Sequence, residues 1–226
     1  MFLQNIPAIA VVLNDKDVLS ITKEELKGAD LIELRVDMFE KTENISDIFE
    51  IAKRKYDLPL LCTVRLPEEG GKKEIKNRLD IYQTVLPFCS FFDMEIFSNE
   101  VSLLRQLVVK SNIILIGSYH NFSKTPSLED LERVFERGKM LNMDIIKIAT
   151  MVNEDKDLET LLFFTLRHKV DRIITLGMGQ KGIPSRIINP VFGSMITYAN
   201  FNEVSAPGQI HLKDMVHIFK VMKLRE

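Results

Sequence analysis

Short β-branched runs alternate with longer amphipathic segments along the whole chain, and this alternation constrains the fold more than any other feature of the sequence. Strands are expected at Ala8–Leu13, Leu31–Val36, Leu60–Val64, Phe91–Ile96, Ile113–Ser118, Ile145–Ile148, Arg172–Leu176 and Ser194–Tyr198. Between them the apolar residues recur at helical spacing over Lys23–Lys27, Ile45–Tyr56, Glu74–Leu86, Glu100–Val109, Leu128–Leu141, Asp155–His168 and Pro184–Ile188, and a last helix is expected over His211–Lys223. Leu128, Leu131, Val134 and Phe135 illustrate the spacing, which gives one buried face per helix. Eight strand–helix units without a Pro/Gly-rich linker predict an α/β chain folded as one (β/α)8 TIM barrel over residues 1–226. The alternative is a doubly wound open sheet. Against it, the first strand-to-helix turn, Asn14-Asp15-Lys16-Asp17, lacks the glycine pattern of dinucleotide folds. Helix starts are expected at Thr22, with Glu25 three residues on, and at Ser127 before Glu129 and Asp130.

Composition narrows the function classes. Thirty Lys+Arg against 32 Asp+Glu leaves a formal charge of −2, which gives no electrostatic case for a nucleic-acid or membrane partner. Cys62 and Cys89 have neither metal-ligand spacing nor a framework of bridges, so buried, reduced thiols are expected. The apolar run Ile6–Leu13 contains a proline and is too short to span a bilayer, and nothing basic precedes it. A cytoplasmic protein is therefore expected.

Chemistry is expected at the C-terminal ends of the strands, where barrels carry their sites. In Asp144-Ile-Ile-Lys147-Ile-Ala-Thr150 a lysine occupies a core-facing position of a strand. Burial lowers an amine pKa, and a neutral amine attacks carbonyl carbons to form a Schiff base. On this stretch alone, the favoured reading is that Lys147 snorkels to the strand end or pairs with Asp144, and the other blocks of the chain reverse it. Glu33, Arg35 and Asp37 alternate with Ile32, Leu34 and Val36, so the three charges share one face and line the barrel mouth if that face points inward. Arg65 ends the third strand, and Glu69 enters a turn loosened by Gly70 and Gly71. His120 follows the fifth strand one unit before the lysine strand, and neighbouring strands lie roughly 5 Å apart, close enough for the two side chains to approach. Gly/Pro-rich segments around Gly182 and over Ser205–Gln209 suit loops that meet a ligand with backbone groups. Arg186 can clamp a carboxylate or a phosphate in bidentate fashion.

Side by side, these blocks resemble the type I 3-dehydroquinate dehydratases. They are Glu33-Leu-Arg35-Val-Asp37, Arg65 with Glu69-Gly-Gly, Ser118-Tyr-His120, Lys147-Ile-Ala149, Gly182 to Arg186, Phe192-Gly-Ser194 and Ser205-Ala-Pro-Gly-Gln209. The resemblance covers essentially the whole length, with the blocks in the family's order. It implies elimination of water from 3-dehydroquinate to give 3-dehydroshikimate, a step of the shikimate pathway, through an imine on Lys147. His120 then matches the general acid/base, and Glu69 the carboxylate that orients it from the far side of the ring. Arg186 matches the clamp on the substrate carboxylate. Glu33, Arg35, Arg65, Ser205 and Gln209 match positions that grip hydroxyls and close the site, with Ser205–Gln209 as a lid. No metal and no organic cofactor is implied, and a homodimer is expected from the resemblance alone. Asn121, Leu176 and Tyr198 depart from the residues common in the family and bear on pocket shape. A Schiff-base aldolase acting on a sugar phosphate, or a catalytically silent barrel binding a cyclitol acid, are the competing readings.

Overall fold

The computed structural model of the chain describes residue 3 and residues 6–202 and 206–225. Its centre is a set of parallel strands: β1 (Ala8–Leu13), β2 (Leu31–Arg35), β3 (Leu60–Thr63), β4 (Phe91–Glu95), β5 (Ile114–Asn121), β6 (Ile145–Met151), β7 (Ile173–Met178) and β8 (Ile196–Asn200). A two-residue strand, β9 (Ile210–His211), pairs with the end of β8. The order is β7-β6-β5-β4-β3-β2-β1-β8-β9, so sequence neighbours are spatial neighbours and β8 returns to lie beside β1. Between β7 and β8 the ring is joined by a bridge from Ile173 to Ser194 and by the Met195 N–H donating to the Ile173 carbonyl at 2.8 Å. Helices α1 (Asp15–Ser20), α2 (Ile45–Tyr56), α3 (Arg78–Val85), α4 (Val101–Val108), α5 (Leu128–Met140), α6 (Asp155–Arg167), α7 (Ser185–Val191) and α8 (Leu212–Val221) follow the strands in turn. This is the expected (β/α)8 barrel rather than the open doubly wound sheet. No helix among the described residues is long and apolar enough to cross a membrane.

The period-two alternation of each strand divides the apolar residues into two cores. Ala8, Ala10, Leu31, Leu61, Phe91, Ile116, Ile145, Ile174 and Ile196 point inward and pack together inside the barrel. Their strand neighbours, among them Ile9, Ile32, Leu34, Phe92, Met94, Ile146 and Ile148, pack outward against the helices. The outer face is apolar along β1 to β4 and carries Thr150, Thr175 and Thr197 in β6 to β8, whereas the inner face of β2 to β5 turns polar toward the C-terminal end. Leu31 is followed two and four residues on by Glu33 and Arg35, Leu61 by Thr63 and Arg65, Phe91 by Asp93 and Glu95, and Ile116 by Ser118 and His120. All of these but His120 are buried, and it is half-buried. The apolar floor thus supports a polar cup.

Several local expectations are corrected. Asn14-Asp15-Lys16-Asp17 is not a bare turn: it opens α1, because the Asn14 side chain accepts from the Asp17 N–H at 2.9 Å while the Asp17 carboxylate accepts from the Asn14 N–H at 3.1 Å. The helix expected over Lys23–Lys27 is a single 3-10 turn, Glu24–Leu26, although Thr22 and Glu25 do make the reciprocal cap. The third helix begins at Arg78 rather than Glu74. Strands β5, β6 and β7 run two to three residues beyond their expected ends. Consequently His120 lies within β5 rather than after it, and its position is set by the sheet register.

Glycines 177 and 182 bring the turn after β7 against the strand itself, which aims α7 and its Arg186 into the cup. A Cβ on Gly182 would stand 2.5 Å from the Gly177 carbonyl carbon, a backbone atom with no room to give. Gly182→Ala is therefore expected to cost about 1–3 kcal/mol through overpacking. Urea unfolding measures that loss, and an unchanged midpoint would contradict the close approach described here.

Candidate active site

The deepest charges of the cup are organised by β4. Asp93 and Glu95, two residues apart, both face inward, and Met94 between them faces the helices. Asp93 is fully buried and has three partners: the Lys147 ammonium donates to its Oδ2 at 3.1 Å, the Ser118 hydroxyl to its Oδ1 at 2.6 Å, and an Arg65 Nη2–H also to Oδ1. Burial alone would raise the Asp93 pKa, but the Arg65 and Lys147 charges beside it hold the carboxyl well below its usual range. Arg65 is buried as well, and donates to Ser118 Oγ at 2.7 Å while its Nη1 lies 3.1 Å from Glu95 Oε1. That same Glu95 oxygen meets His120 Nδ1.

Lys147 occupies the expected inward position on β6, 5% exposed. Its surroundings are not the purely apolar pocket that the sequence suggests: Asp93 is its ion-pair partner, and the Tyr198 ring centroid lies 4.3 Å from Nζ. It neither snorkels nor pairs with Asp144, whose carboxylate is taken by Arg105 at 3.0 Å and the Leu115 N–H at 2.9 Å. Lys147 pairs in register with Ser118, and His120 with Ala149, so the imidazole stands two residues nearer the mouth on the adjacent strand. Burial and the neighbouring Arg65 and Lys147 charges outweigh Glu95 and lower the His120 pKa from 6.5. The Phe122 ring stacks on the imidazole at a centroid distance of 5.9 Å and 11° between planes.

Arg186 lies on the opposite wall. It is 1% exposed, and among the described residues its guanidinium is held by backbone oxygens alone, with Nη1 donating to Tyr198 O at 3.5 Å and Nη2 to Pro207 O at 3.2 Å. Its Nε has no partner among the described residues. Desolvation without a countercharge brings its pKa down to about 10. A buried cation with no counterion is costly, and one lining a cavity is matched by an anionic ligand. The cavity holds ≈ 50 Å³ and is lined by Glu33, Arg35, Arg65, His120, Lys147, Arg186, Tyr198 and Gln209 among others. Glu33 accepts from the Thr63 hydroxyl at 2.6 Å, and Arg35 grips Asp37 in bidentate fashion at 2.8 and 2.7 Å.

Of the residues expected at the site, Lys147, His120, Glu33, Arg35, Arg65, Arg186 and Gln209 meet at this one cavity. Ser205 lies outside the described residues. The described part of the expected lid, residues 206–209, folds onto the end of β7, where the Gly179 N–H donates to Pro207 O at 3.2 Å. Gly208 has φ +80°, and a Cβ there would stand 2.5 Å from Gly179 O.

Glu69 is the correction. It does not stand behind His120: the 3-10 turn Pro67–Glu69 directs its carboxylate to Arg78, which binds both oxygens at 3.0 and 2.8 Å, and to the Leu66 N–H at 3.2 Å. The carboxylate on His120 is Glu95. Asp93 and Glu95 were both missed by sequence reasoning, although Phe91-Phe92-Asp93-Met94-Glu95-Ile96 carries the same apolar/charged alternation that singled out Glu33 and Arg35.

The pH dependence of stability follows from these environments. Asp93 is held below its unfolded value of 3.8, so its contribution is present above that value and is lost as pH falls through the folded one. His120 is also depressed in the folded state, so acid favours the unfolded chain once pH drops below about 6.5. The unfolding free energy is expected to fall steadily from pH 7 toward acid, and His120→Gln to flatten the slope in the upper part of that range. Denaturant titrations at stepped pH test this, and a wild-type stability that rises on acidification would contradict both assignments.

A sequence model of the family described as type I 3-dehydroquinase matches residues 8–226. The 3-dehydroquinate dehydratase of Thermodesulfovibrio yellowstonii is 83% identical over 225 residues, covering 100% of both chains. That of Aquifex aeolicus is 35% identical over 216 residues, covering 94% of this chain and 97% of its own. The crystal structure of the Aquifex aeolicus protein superimposes with a TM-score of 0.85, covering 95% of this chain and 98% of that one. A Clostridium difficile type I 3-dehydroquinate dehydratase with covalently modified comenic acid, 33% identical, gives 0.84 over 98% and 94%.

Proposed function

Since the chain belongs to the type I 3-dehydroquinase family and is a hydro-lyase of that type, we propose that it removes water from 3-dehydroquinate through an imine formed on Lys147, with His120 as general acid/base. The observation that carries this reading is the convergence, on one small cavity, of a buried amine, an imidazole and an uncompensated guanidinium. Each answers a part of the substrate: a ketone, an acidic C–H beside it with a hydroxyl one carbon further on, and a carboxylate.

Arg186 takes the substrate carboxylate, which supplies the missing countercharge and orients the ring with its ketone toward β6. Lys147 must shed a proton to attack, and His120, which lines the same cavity, accepts it and is thereby protonated for the next step. Attack on the carbonyl gives a carbinolamine, whose hydroxyl leaves as water, with His120 donating the proton. The resulting iminium draws electrons from the adjacent carbon, so His120 can remove the proton there and form an enamine. The enamine then expels the hydroxyl from the next carbon, which departs with the proton His120 has just accepted. Hydrolysis of the product imine returns the amine. One imidazole serves each proton transfer in turn, which typically contributes about 10²–10⁴-fold. Glu33, Arg35 and Arg65 line the same cavity and hold the ring hydroxyls, with Gln209 beside them.

An aldolase acting on a sugar phosphate is the weaker reading. One guanidinium held by two carbonyl oxygens matches a planar carboxylate better than a dianionic phosphate. Borohydride added with 3-dehydroquinate should fix a covalent adduct on Lys147, read by mass spectrometry, and Lys147→Ala should abolish both adduct and turnover. Full turnover by that variant would overturn the assignment. Arg186→Lys keeps the charge but loses the fork, and the lost charge-assisted bond is expected to raise KM about 10–100-fold. An unchanged KM would remove Arg186 from the carboxylate.

A further inference from the structure

Resting on the reading above, we propose that the phenolic hydroxyl of Tyr198 determines specificity: it donates to the substrate hydroxyl next to the ketone, and that hydroxyl donates in turn to Glu33. Tyr198 lies on β8 with its side chain in the inner core, 3% exposed, and lines the substrate cavity. Its register partner on β1 is Ala10, a small residue that leaves the ring room to extend into the cup. Lys147 Nζ of β6 stands 4.3 Å from the ring centroid. The charges that act on the phenol are Glu33 of β2, Asp93 of β4 and Arg65 just after β3. The ring therefore passes beside the amine and turns its hydroxyl toward the wall formed by β2 to β4.

That hydroxyl is buried and has no hydrogen-bond partner among the described residues. The other tyrosines place theirs on partners. Tyr82 donates to Asp93 O at 2.6 Å, Tyr56 to Ile21 O at 2.9 Å, and the Tyr119 oxygen accepts from Asn121 Nδ2 at 3.2 Å. An unpaired buried hydroxyl is costly, so one in the wall of a ligand cavity is accounted for by a polar atom of the ligand. Burial and the Glu33 and Asp93 charges push the phenol pKa well above its ordinary value, so the group remains a donor.

The ligand atom follows from the two ends of the cavity. Arg186, whose guanidinium reaches the Tyr198 carbonyl, takes the carboxylate, and Lys147 takes the ketone. The carbon on the other side of the ketone then points away from Arg186, toward Glu33 and Arg65. A hydroxyl on that carbon both accepts and donates, and the wall offers one group for each role. The phenol supplies the hydrogen, and Glu33 accepts one while keeping its bond from Thr63 at 2.6 Å. A second carboxylate has no place there, since Glu33 and Asp93 would repel it. A site built to bind a hydroxyl in this way rejects an analogue that lacks it, because its own polar groups are left unpaired.

The contact is measured without chemistry by calorimetric titration with two ligands. One is the alcohol made by reducing the ketone of 3-dehydroquinate, which cannot form an imine; the other is the same alcohol lacking the neighbouring hydroxyl. Tyr198→Phe should weaken binding of the first about 5–50-fold and leave that of the second near wild type. In turnover of 3-dehydroquinate the variant should raise KM by a similar factor with kcat nearly unchanged, since the bond is made alike in ground and transition states. Its urea midpoint should equal or exceed that of the wild type, because no protein group loses a partner. Equal affinity of wild type and variant for the first ligand would overturn the proposal, as would an equal loss with both ligands. A lowered urea midpoint would also overturn it, by showing that the hydroxyl serves the fold. Absence of borohydride trapping in the wild type would remove the imine reading alone, because neither titrated ligand carries a ketone.

Discussion

Inside the barrel, Arg65 and Asp93 form the ion pair on which the rest of the site is hung. Neither group is tolerable alone at that depth, where an unpaired charge would cost several kcal/mol. Together they leave polar valences to spare. Asp93 uses its second oxygen for Lys147, Arg65 extends its other nitrogen to Glu95, and the Ser118 hydroxyl links the two carboxylates. The Lys147 amine is thus attached to the buried pair through Asp93, and the His120 imidazole through Glu95. Their relative positions are fixed by strands, not by loops, which gives the geometry the stiffness that proton transfer over hydrogen-bond distances needs.

The pairing is uneven across the cup. Its inward cations are Arg35, Arg65, Lys147 and Arg186, and its inward anions Glu33, Asp37, Asp93 and Glu95. Arg35 is neutralised by Asp37, and Arg65 and Lys147 by the two carboxylates of β4. Arg186 and Glu33 remain, one held by carbonyl oxygens and the other by a threonine hydroxyl. Equal numbers of charges therefore leave one wall seeking an anion. A substrate with one carboxylate and several hydroxyls answers that asymmetry, and a neutral or cationic one does not.

The fold was legible because a single rule, alternation along a strand, writes both cores at once. On β2 to β4 the outward positions are apolar over the full strand and the inward ones only over its first half, and the point where the inner face turns polar marks the site. Glu33, Arg35 and Arg65 were found by that rule. Asp93 and Glu95 obey it equally, but a strand flanked by Phe91 and Ile96 reads as plain core unless the inner register is carried over from its neighbours. Helix α1 was hidden for another reason: Asn, Asp and Lys suit a turn as well as a capped helix start, and the reciprocal cap between Asn14 and Asp17 is a matter of geometry. The direction of Glu69 was out of reach of sequence reasoning. It depends on a buried arginine nine residues away, Arg78, which binds both of its oxygens.

That arginine has a consequence for how the site tolerates its own charges. Four acidic side chains, Glu68, Glu69, Glu95 and Glu100, line an outer cavity beside the imidazole, and an unpaired one favours the imidazolium. Arg78 binds two of them, Glu69 and Glu100. Glu95 is the carboxylate in contact with the ring, and burial together with the Arg65 and Lys147 charges outweighs it and lowers the imidazole pKa.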